Sequence, residues 1–252
     1  MFFQAIGIYS LPVELLYELE LYALSESLPI ASRHFNDVYK QASPFFHARY
    51  ILGRVLGNHE AVLSEIYTKA LRYPICTQKV LEAIRTLVQD LQPSKSALQL
   101  PRRLFKSLTP PVSGWTKDDY PIPLLRYLYH TSDIPTVNTN ANEGYALTRA
   151  VHAKFKPLVE FLLAHHASPR SRDCLAVKVA IRQKNLEMVK LLVERQESKK
   201  KKGKRRKIED RLSLDSDMLK IAVMANAHDI VEYLYREKKI LPDMLTLKKM
   251  TF

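Results

Sequence analysis

Glycine is scarce in this chain of 252 residues, which holds six glycines against 14 prolines. Phosphate-binding loops need glycine because their backbone N–H groups must approach the ligand closely, so this composition argues against such a loop. A G-x-S-x-G nucleophile elbow, a Walker loop and a dinucleotide fingerprint are also absent from the sequence. We therefore expect a binding protein rather than an enzyme, with no cofactor and no catalytic residues.

Cysteine is nearly absent as well, since Cys76 and Cys174 are the only two and lie far apart. Two separated cysteines build neither a disulfide framework nor a zinc site, and they are typical of a reduced compartment. Eight histidines are present, but no two of them are four residues apart. We therefore expect structural histidines and no metal ligands.

The sequence also lacks an apolar run that approaches the ~18 residues of a membrane-spanning helix. The opening stretch MFFQAIGIYS is apolar, but it lacks the basic leader and cleavage pattern of a signal peptide. Hydrophobic residues make up 46% of the chain and charged residues 26%, which is typical of a globular protein. We expect a chain of the nucleus or the cytoplasm that contacts no membrane.

Acidic residues are few relative to basic ones, and the formal net charge is +13. Much of this excess lies in KKKKGKRRK, residues 199–207, and subtracting its eight cations from +13 leaves +5. A DNA-binding domain more often spreads its cations along an element that faces a groove, which makes a nucleic acid the less favoured partner. The cations of the run are Lys199, Lys200, Lys201, Lys202, Lys204, Arg205, Arg206 and Lys207.

Three helix starts divide residues 10–56 into short predicted amphipathic helices: Ser10 with Pro12, Ser27 with Pro29, and Ser43 with Pro44. Such short helices bury little apolar surface alone, so we expect a partner surface. The predicted apolar stripes are Leu11, Leu15, Leu19 and Tyr22; Leu28, Ala31, Phe35 and Val38; and Phe45, Ala48, Leu52 and Val55.

Residues 9–56 resemble the F-box. The resemblance lies in Leu-Pro followed shortly by Glu at residues 11–14, and in the later stretch Ser32-Arg33-x-Phe35-Asn36. It implies docking onto the Skp adaptor of a cullin-based ubiquitin ligase. The implied contacts to Skp are Leu11, Pro12, Glu14, Leu15 and Leu19. The alternative is a small helical core that happens to begin with Leu-Pro.

The middle of the chain has helical patterns at residues 59–71 and 77–91, and the second has Val80, Ile84, Leu87 and Leu91 on one predicted face. The stretch LTPPVSGWTKDDYPIP, residues 108–123, is rich in helix breakers and predicts a domain seam. Its Trp115 either anchors a ligand or, as we expect, packs the loop onto a core.

Three segments of one pattern follow: ALTRAVHAKFKPLVEFL (146–162), AVKVAIRQKNLEMVKLL (176–192) and MLKIAVMANAHDIVEYL (218–234). Each predicts a helix with a small contact residue, a tight turn, and a second helix with an apolar stripe. The shared positions are alanine at 150, 180 and 222, valine at 159, 189 and 231, and leucine at 162, 192 and 234.

These copies resemble the ankyrin repeat, most closely at NLEMVKLL (185–192) and AHDIVEYL (227–234). They depart from that family in lacking the T-P-L-H tetrapeptide, and Lys154, Lys184 and Asn226 replace the glycine between the helices. A generic helix-pair solenoid therefore stays open as an alternative. An earlier half-copy ends at Leu125-Arg126-Tyr127-Leu128.

Repeat spacing places the basic run in a loop. The shared valines are 30 residues apart between the first two copies and 42 between the second and third, and the excess includes residues 199–207. Three interpretations of this insertion remain open: a solvated loop, a nuclear-import signal read by importin at residues 204–207, and a contact to nucleic acid.

The predicted fold is all-α, in four segments. These are an F-box-like unit (1–56), a helical connector (57–107), a Pro-rich loop with a degenerate first repeat (108–144), and ankyrin-like repeats (145–252) with a basic insertion at 197–211. The resemblances imply a substrate-recognition adaptor of a Skp-cullin ubiquitin ligase that holds a target protein through its repeats. The alternatives are a repeat scaffold without a ligase role and a nucleic-acid binder that works through the basic loop.

Overall fold

The computed structural model describes residues 7–57, 62–91, 96–112, 114–194 and 212–250. Helices dominate these residues, which confirms the predicted all-α fold. The chain divides into two compact units, the first containing Met1–Pro101 and Leu124–Asn138 and the second Arg102–Pro123 and Thr139–Phe252. Below, these are called unit 1 and unit 2.

The elements up to residue 130 are mostly short. In chain order they are a 3-10 turn Ile8–Ser10, α1 Val13–Ala23, α2 Leu28–Ala31, α3 Arg33–Gln41, α4 Pro44–Leu56, α5 Leu63–Ala70, α6 Gln78–Leu87, β1 Leu98–Gln99, α7 Arg103–Lys106 and α8 Ile122–His130.

The later elements come largely in helix pairs. They are β2 Val137–Asn138, α9 Ala141–His152, α10 Lys156–Ala164, α11 Ser171–Arg182, α12 Leu186–Val193, α13 Ser216–Met224, α14 His228–Glu232, a π turn Tyr233–Glu237, and α15 Met244–Met250.

Unit 1 is organised around α4, which contacts α1, α5 and α6. Its buried side chains include Tyr50 and Ile51 on α4, Ile66 and Tyr67 on α5, and Ile84 on α6. The strands β1 and β2 pair in parallel, with Leu98 opposite Val137. This pair adds one short ladder to an otherwise helical unit.

Of the three predicted helix starts in unit 1, Ser43 makes the expected side-chain cap: its hydroxyl accepts a hydrogen bond from the backbone N–H of Phe46 at 3.2 Å. Ser27 precedes α2 without a side-chain capping bond, and Ser10 as the cap of α1 is wrong, because the N-cap of α1 is Pro12.

Ser32 caps α3, which the sequence pattern did not predict: its hydroxyl accepts a hydrogen bond from the backbone N–H of Phe35 at 3.2 Å. Ser32 is extended, with φ −150°, and it therefore separates α2 from α3. The single helix predicted across Leu28, Ala31, Phe35 and Val38 is wrong for this reason: that stripe spans two helices.

The stripe predicted on α6 is also wrong in its second half. Val80 and Ile84 are buried, but Leu87 and Leu91 are 38% and 41% exposed. Val88, directly after the end of α6, is buried instead; with Val80 and Ile84 it forms a series at spacings of four, which lies on one side of the helix.

Unit 2 is a stack of helix pairs. The pairs are α9 with α10, α11 with α12, and α13 with α14. The first helices contact each other in the order α9, α11, α13, and the second helices in the order α10, α12, α14. Each neighbour in the stack covers the apolar stripe of the next, as in other repeat arrays. Whether the stack is an ankyrin array stays a prediction.

The shared residues of the three copies form the centre of this stack. All nine are buried, and the three alanines are 0% exposed. A residue without a side chain beyond Cβ lets two helix backbones approach closely. The buried set is Ala150, Ala180 and Ala222 on the first helices, with Val159, Val189, Val231, Leu162 and Leu192 on the second helices and Leu234 in the π turn.

The turn between the helices of each pair uses one left-handed residue. Lys154, Lys184 and Asn226 have φ angles of 54°, 55° and 50°. These are the three positions at which the sequence lacks the glycine of the family it resembles. A left-handed backbone costs a side chain with Cβ about 1–2 kcal/mol, and asparagine tolerates it better than lysine.

A second left-handed feature recurs at the start of α9 and of α11. Residues 142–144 and 172–174 all have positive φ, and the two turns are 30 residues apart. Two features favour glycine at position 144. Its φ of 71° is left-handed, and an added Cβ would lie 2.6 Å from Cβ of Ser171, which is too close for two carbon atoms. Glu143 and Arg172 join the two turns by an ion pair of 3.0 Å.

Trp115 packs the Pro-rich loop onto unit 2, in agreement with the packing interpretation. Its indole stacks on the ring of Phe155 with centroids 3.9 Å apart, and Nε1 donates a hydrogen bond to the carbonyl of Ala153 at 2.9 Å. Both contacts hold the loop against the turn between α9 and α10.

We predict that Ala180→Leu destabilises unit 2 by about 1–3 kcal/mol, because the added atoms have no space between α9, α11 and α13. The measurement is urea denaturation followed by far-UV circular dichroism. Ala164→Leu, at an exposed position on α10, is the matched control and should change the midpoint little. Equal midpoints for the two variants would contradict the close approach of the first helices.

We predict that Lys184→Gly stabilises unit 2 by about 0.5–1 kcal/mol, since glycine relieves the left-handed strain at a smaller entropic cost. Lys220→Gly, at an exposed position inside α13, should instead destabilise it by about 1 kcal/mol. Thermal unfolding of both variants gives the comparison. A lower melting temperature for Lys184→Gly would contradict the strained turn.

Candidate partner-docking face on the first helix

The helix α1 has apolar residues on two faces, and only one of them is buried. Its sequence VELLYELELYA buries Leu16 and Glu20, which lie one turn apart. Leu16 packs with Phe35 and Val38 of α3 into a small core cluster. The inward direction of α1 is therefore set by the aromatic and branched side chains of α3.

Two members of the predicted stripe, Leu15 and Tyr22, lie on the opposite side of α1, whereas Leu19 is half-buried and Leu11 packs against the core cluster. At about 100° per residue, Leu15 and Tyr22 are turned roughly 120–140° away from the buried pair Leu16 and Glu20. Leu15 is 46% exposed and Tyr22 is 87% exposed. Leu15 and Tyr22 therefore face solvent, and together with the half-buried Leu19 they form what we call the α1 outer face.

The five residues predicted to contact Skp are accessible to different degrees. Pro12, Glu14 and Leu15 are exposed, and Leu19 is half-buried. Leu11 is half-buried because it packs against the core cluster under α1. Pro12 is the N-cap of α1 and makes no side-chain capping bond. Whether these residues bind Skp stays a prediction.

Neighbouring elements add further exposed apolar side chains. Ile8 in the 3-10 turn and Val13 at the start of α1 are each 40% exposed, and Ile30 on α2 is 75% exposed. Phe45 at the start of α4 is 50% exposed, although it belongs to a predicted stripe whose other members are buried. Exposed apolar residues are common singly, but several on consecutive short helices are typical of an interaction surface.

Glu20 is a fully buried carboxyl group beneath the α1 outer face. It is 0% exposed, and among the described residues no group donates a hydrogen bond to either of its carboxyl oxygens. Arg54 on α4 pairs with Glu26 instead. An ionised carboxylate without a partner is costly in such a site, so burial raises the pKa of Glu20 to about 7.

Aromatic side chains surround the same region. The rings of Tyr39 and Tyr50 meet edge to face at 5.2 Å, and the ring of His47 lies 5.4 Å from that of Tyr39. Burial raises the pKa of both phenols, and the charge of Glu20 adds a smaller increase. The Tyr50 hydroxyl donates a hydrogen bond to the carbonyl of Ser25 at 2.6 Å, which fixes the loop after α1.

Other parts of the described chain offer less for a site. A cleft of about 610 Å³ in unit 1 is lined by α5 and α6, but its Arg85 and Asp133 form an ion pair with each other. Within the described ranges, no three His, Cys, Asp or Glu side chains are placed to hold a metal ion. None of the described helices combines the length and hydropathy needed to cross a bilayer.

The basic positions Lys199, Lys200, Lys201, Lys202, Lys204, Arg205, Arg206 and Lys207 lie outside the described residues. Sequence reasoning missed the burial of Glu20, because a glutamate in an amphipathic helix is ordinarily assigned to the solvent side. Its spacing of four from Leu16 was the available signal.

We predict that the free energy of unfolding falls as pH rises through the titration of Glu20. Burial raises its pKa from 4.5 to about 7, so the folded chain binds the proton more tightly than the unfolded chain does. This stabilisation is fully present below pH 4.5 and is lost as pH rises to about 7 and above. It is on the order of 3 kcal/mol.

Glu20→Gln removes the titration, so it should raise the melting temperature at about pH 8 and change it little at about pH 4. Glu18→Gln on the exposed side of α1 is the control and should leave the pH dependence of the wild type. An unaltered pH profile in Glu20→Gln would contradict this assignment.

No protein-family model matches the sequence, and no match was found among the curated proteins or the solved structures.

Proposed function

We propose that this chain is a substrate-recognition adaptor of a Skp-cullin ubiquitin ligase. In this proposal the N-terminal helices dock onto Skp, and the helix pairs of unit 2 hold a target protein. The observation that carries it is the α1 outer face. Leu15 and Tyr22, which follow a Leu-Pro start that resembles the F-box, point toward solvent rather than toward a core.

The energetics favour a covered α1 outer face. Each large apolar side chain that moves from water into an interface contributes about 1.5–3 kcal/mol when it is fully buried. In the chain alone Tyr22 is 87% exposed and Leu15 is 46% exposed, so most of this contribution from Tyr22 and part of that from Leu15 is still available for a partner. Tyrosine is also enriched among residues that dominate binding energy, because it brings a large apolar ring and a polar tip.

Such an adaptor needs no chemistry of its own. Its effect is to raise the local concentration of a target lysine near a ubiquitin-loaded enzyme, which depends on holding two partners at once. The stacked helix pairs supply an extended surface for the target, as repeat arrays do in general. Nuclear import through residues 204–207 would give the adaptor access to nuclear targets, and this part of the proposal rests on the sequence alone.

We predict that purified Skp binds the full chain and that Leu15→Ala with Tyr22→Ala weakens binding by about tenfold or more. Both side chains are exposed, so the double variant should keep the circular dichroism spectrum of the wild type. Isothermal titration calorimetry gives the affinities.

The matched control is Leu87→Ala, which truncates an exposed apolar side chain on α6 instead. It should bind Skp like the wild type. If the wild type fails to bind Skp, the chain is not such an adaptor. Equal affinities for the wild type and the double variant would show that Skp docks elsewhere.

A further inference from the structure

The last helix pair of the stack and α15 carry several large apolar side chains in contact with solvent. Met224 is 65% exposed, Met244 75%, Leu245 67% and Leu247 46%. Several large exposed apolar side chains on helices that pack against each other are typical of an interaction surface.

A groove lies between α13 and α15, which pack against each other. Its volume is about 280 Å³. Seven residues line it: the buried Thr246, the apolar residues Val223, Met224 and Leu245, which we call its floor, and Lys220, Lys248 and Lys249, which we call its rim. We call this the α13/α15 groove.

The spacing of these residues presents one face of each helix to the groove. Lys220, Val223 and Met224 stand at i, i+3 and i+4 on α13, and Leu245, Lys248 and Lys249 repeat that spacing on α15. Two parallel rows of this kind leave a channel that a third helix fills with its own i, i+3, i+4 and i+7 side chains. The shape therefore suits a helical segment.

The rim decides which helical segment fits. Its three lysines are exposed, and none of the seven residues that line the groove carries a negative charge. The acidic residue Asp243 lies near Lys220. Hydrogen bonds from Thr246 are the main cause of the lowered pKa of its carboxyl group, and the charge of Lys220 lowers this pKa further. Its Oδ1 accepts the Thr246 N–H at 2.6 Å, so Asp243 serves as the cap of α15. The residues that line the groove therefore carry three positive charges and no negative charge.

We propose that the α13/α15 groove binds an amphipathic helix of a partner protein, one whose apolar stripe is flanked by aspartate or glutamate. The apolar stripe covers Met224 and Leu245, and the carboxylates pair with the three rim lysines. Charge complementarity selects this partner over a neutral or basic helix. As a statement of the target class of the adaptor, it rests on the proposed function, but the groove itself shares no residue with the α1 outer face.

The test uses the full chain and a synthetic amphipathic helix of roughly four turns, with leucines at i, i+3, i+4 and i+7 and glutamates on both flanks. Two matched control peptides are used. In one, every glutamate is replaced by lysine; in the other, every leucine is replaced by serine. Fluorescence anisotropy measures the dissociation constant of each peptide. We expect the glutamate peptide to bind the chain about tenfold more tightly, or more, than either control peptide. Equal affinities for the glutamate and lysine peptides would overturn the proposal.

Two variants of the groove sharpen the result. The double variant Met224→Ser with Leu245→Ser should bind the glutamate peptide with an affinity lower by about tenfold or more. Lys248→Glu with Lys249→Glu should reverse the preference, so that the lysine peptide binds better. The control Val112→Ser with Lys117→Glu, at exposed positions outside the groove, should bind like the wild type. Groove variants that bind like the control would place the peptide elsewhere.

Two other occupants are distinguished by the same variants. Sedimentation that shows self-association of the chain, lost in Met224→Ser with Leu245→Ser, would replace the partner helix by a second copy. If the chain binds phosphatidylserine vesicles and the glutamate peptide does not displace it from them, the occupant of the groove would be a lipid surface and not a partner helix. Because Skp is absent from these measurements, failure of the groove and failure of Skp docking are separate results.

Discussion

Close contact between the first helices of successive pairs is the constraint on which unit 2 depends. Ala150, Ala180 and Ala222 are fully buried where α9, α11 and α13 meet. Their small side chains bring the backbones together, and only at that distance do the valines and leucines of the second helices cover one another. The left-handed residues at 154, 184 and 226 then fold each second helix back beside its own first helix. Packing of the alanines is strong enough to hold lysine in a backbone conformation that favours glycine.

The N-terminal helices differ from unit 2, because they are too short to bury all their apolar residues. Their core cluster holds only Leu16, Phe35 and Val38 as buried members, with a few partly buried neighbours. The inward face of α1 even includes Glu20, a carboxyl without a partner among the described residues. The outward face carries Leu15 and Tyr22. A helix that buries a glutamate and exposes a tyrosine is consistent with selection for a partner on its outer side.

Both candidate surfaces therefore follow from one principle: apolar surface that the fold leaves uncovered is available for binding. They differ in charge. The α1 outer face includes Glu18 between its apolar residues, whereas the α13/α15 groove has a rim of lysines. Surfaces with different rims select different partners, because like charges at an interface exclude the wrong one. The adaptor function proposed above requires two such surfaces, because it holds two partners at once.

The sequence by itself determined the helical class, the three copies with their alanine and valine positions, the cap at Ser43 and the packing role of Trp115. These depend on local spacing and on residue types whose conformational preferences are intrinsic. Tertiary structure alone decided which face of α1 turns inward, because both faces are apolar and the choice depends on Phe35 and Val38 of another helix. It also decided that Val88 replaces Leu87 in the core and that Glu20 is buried. The α13/α15 groove exists only because α15 packs on α13, a contact that no local pattern encodes.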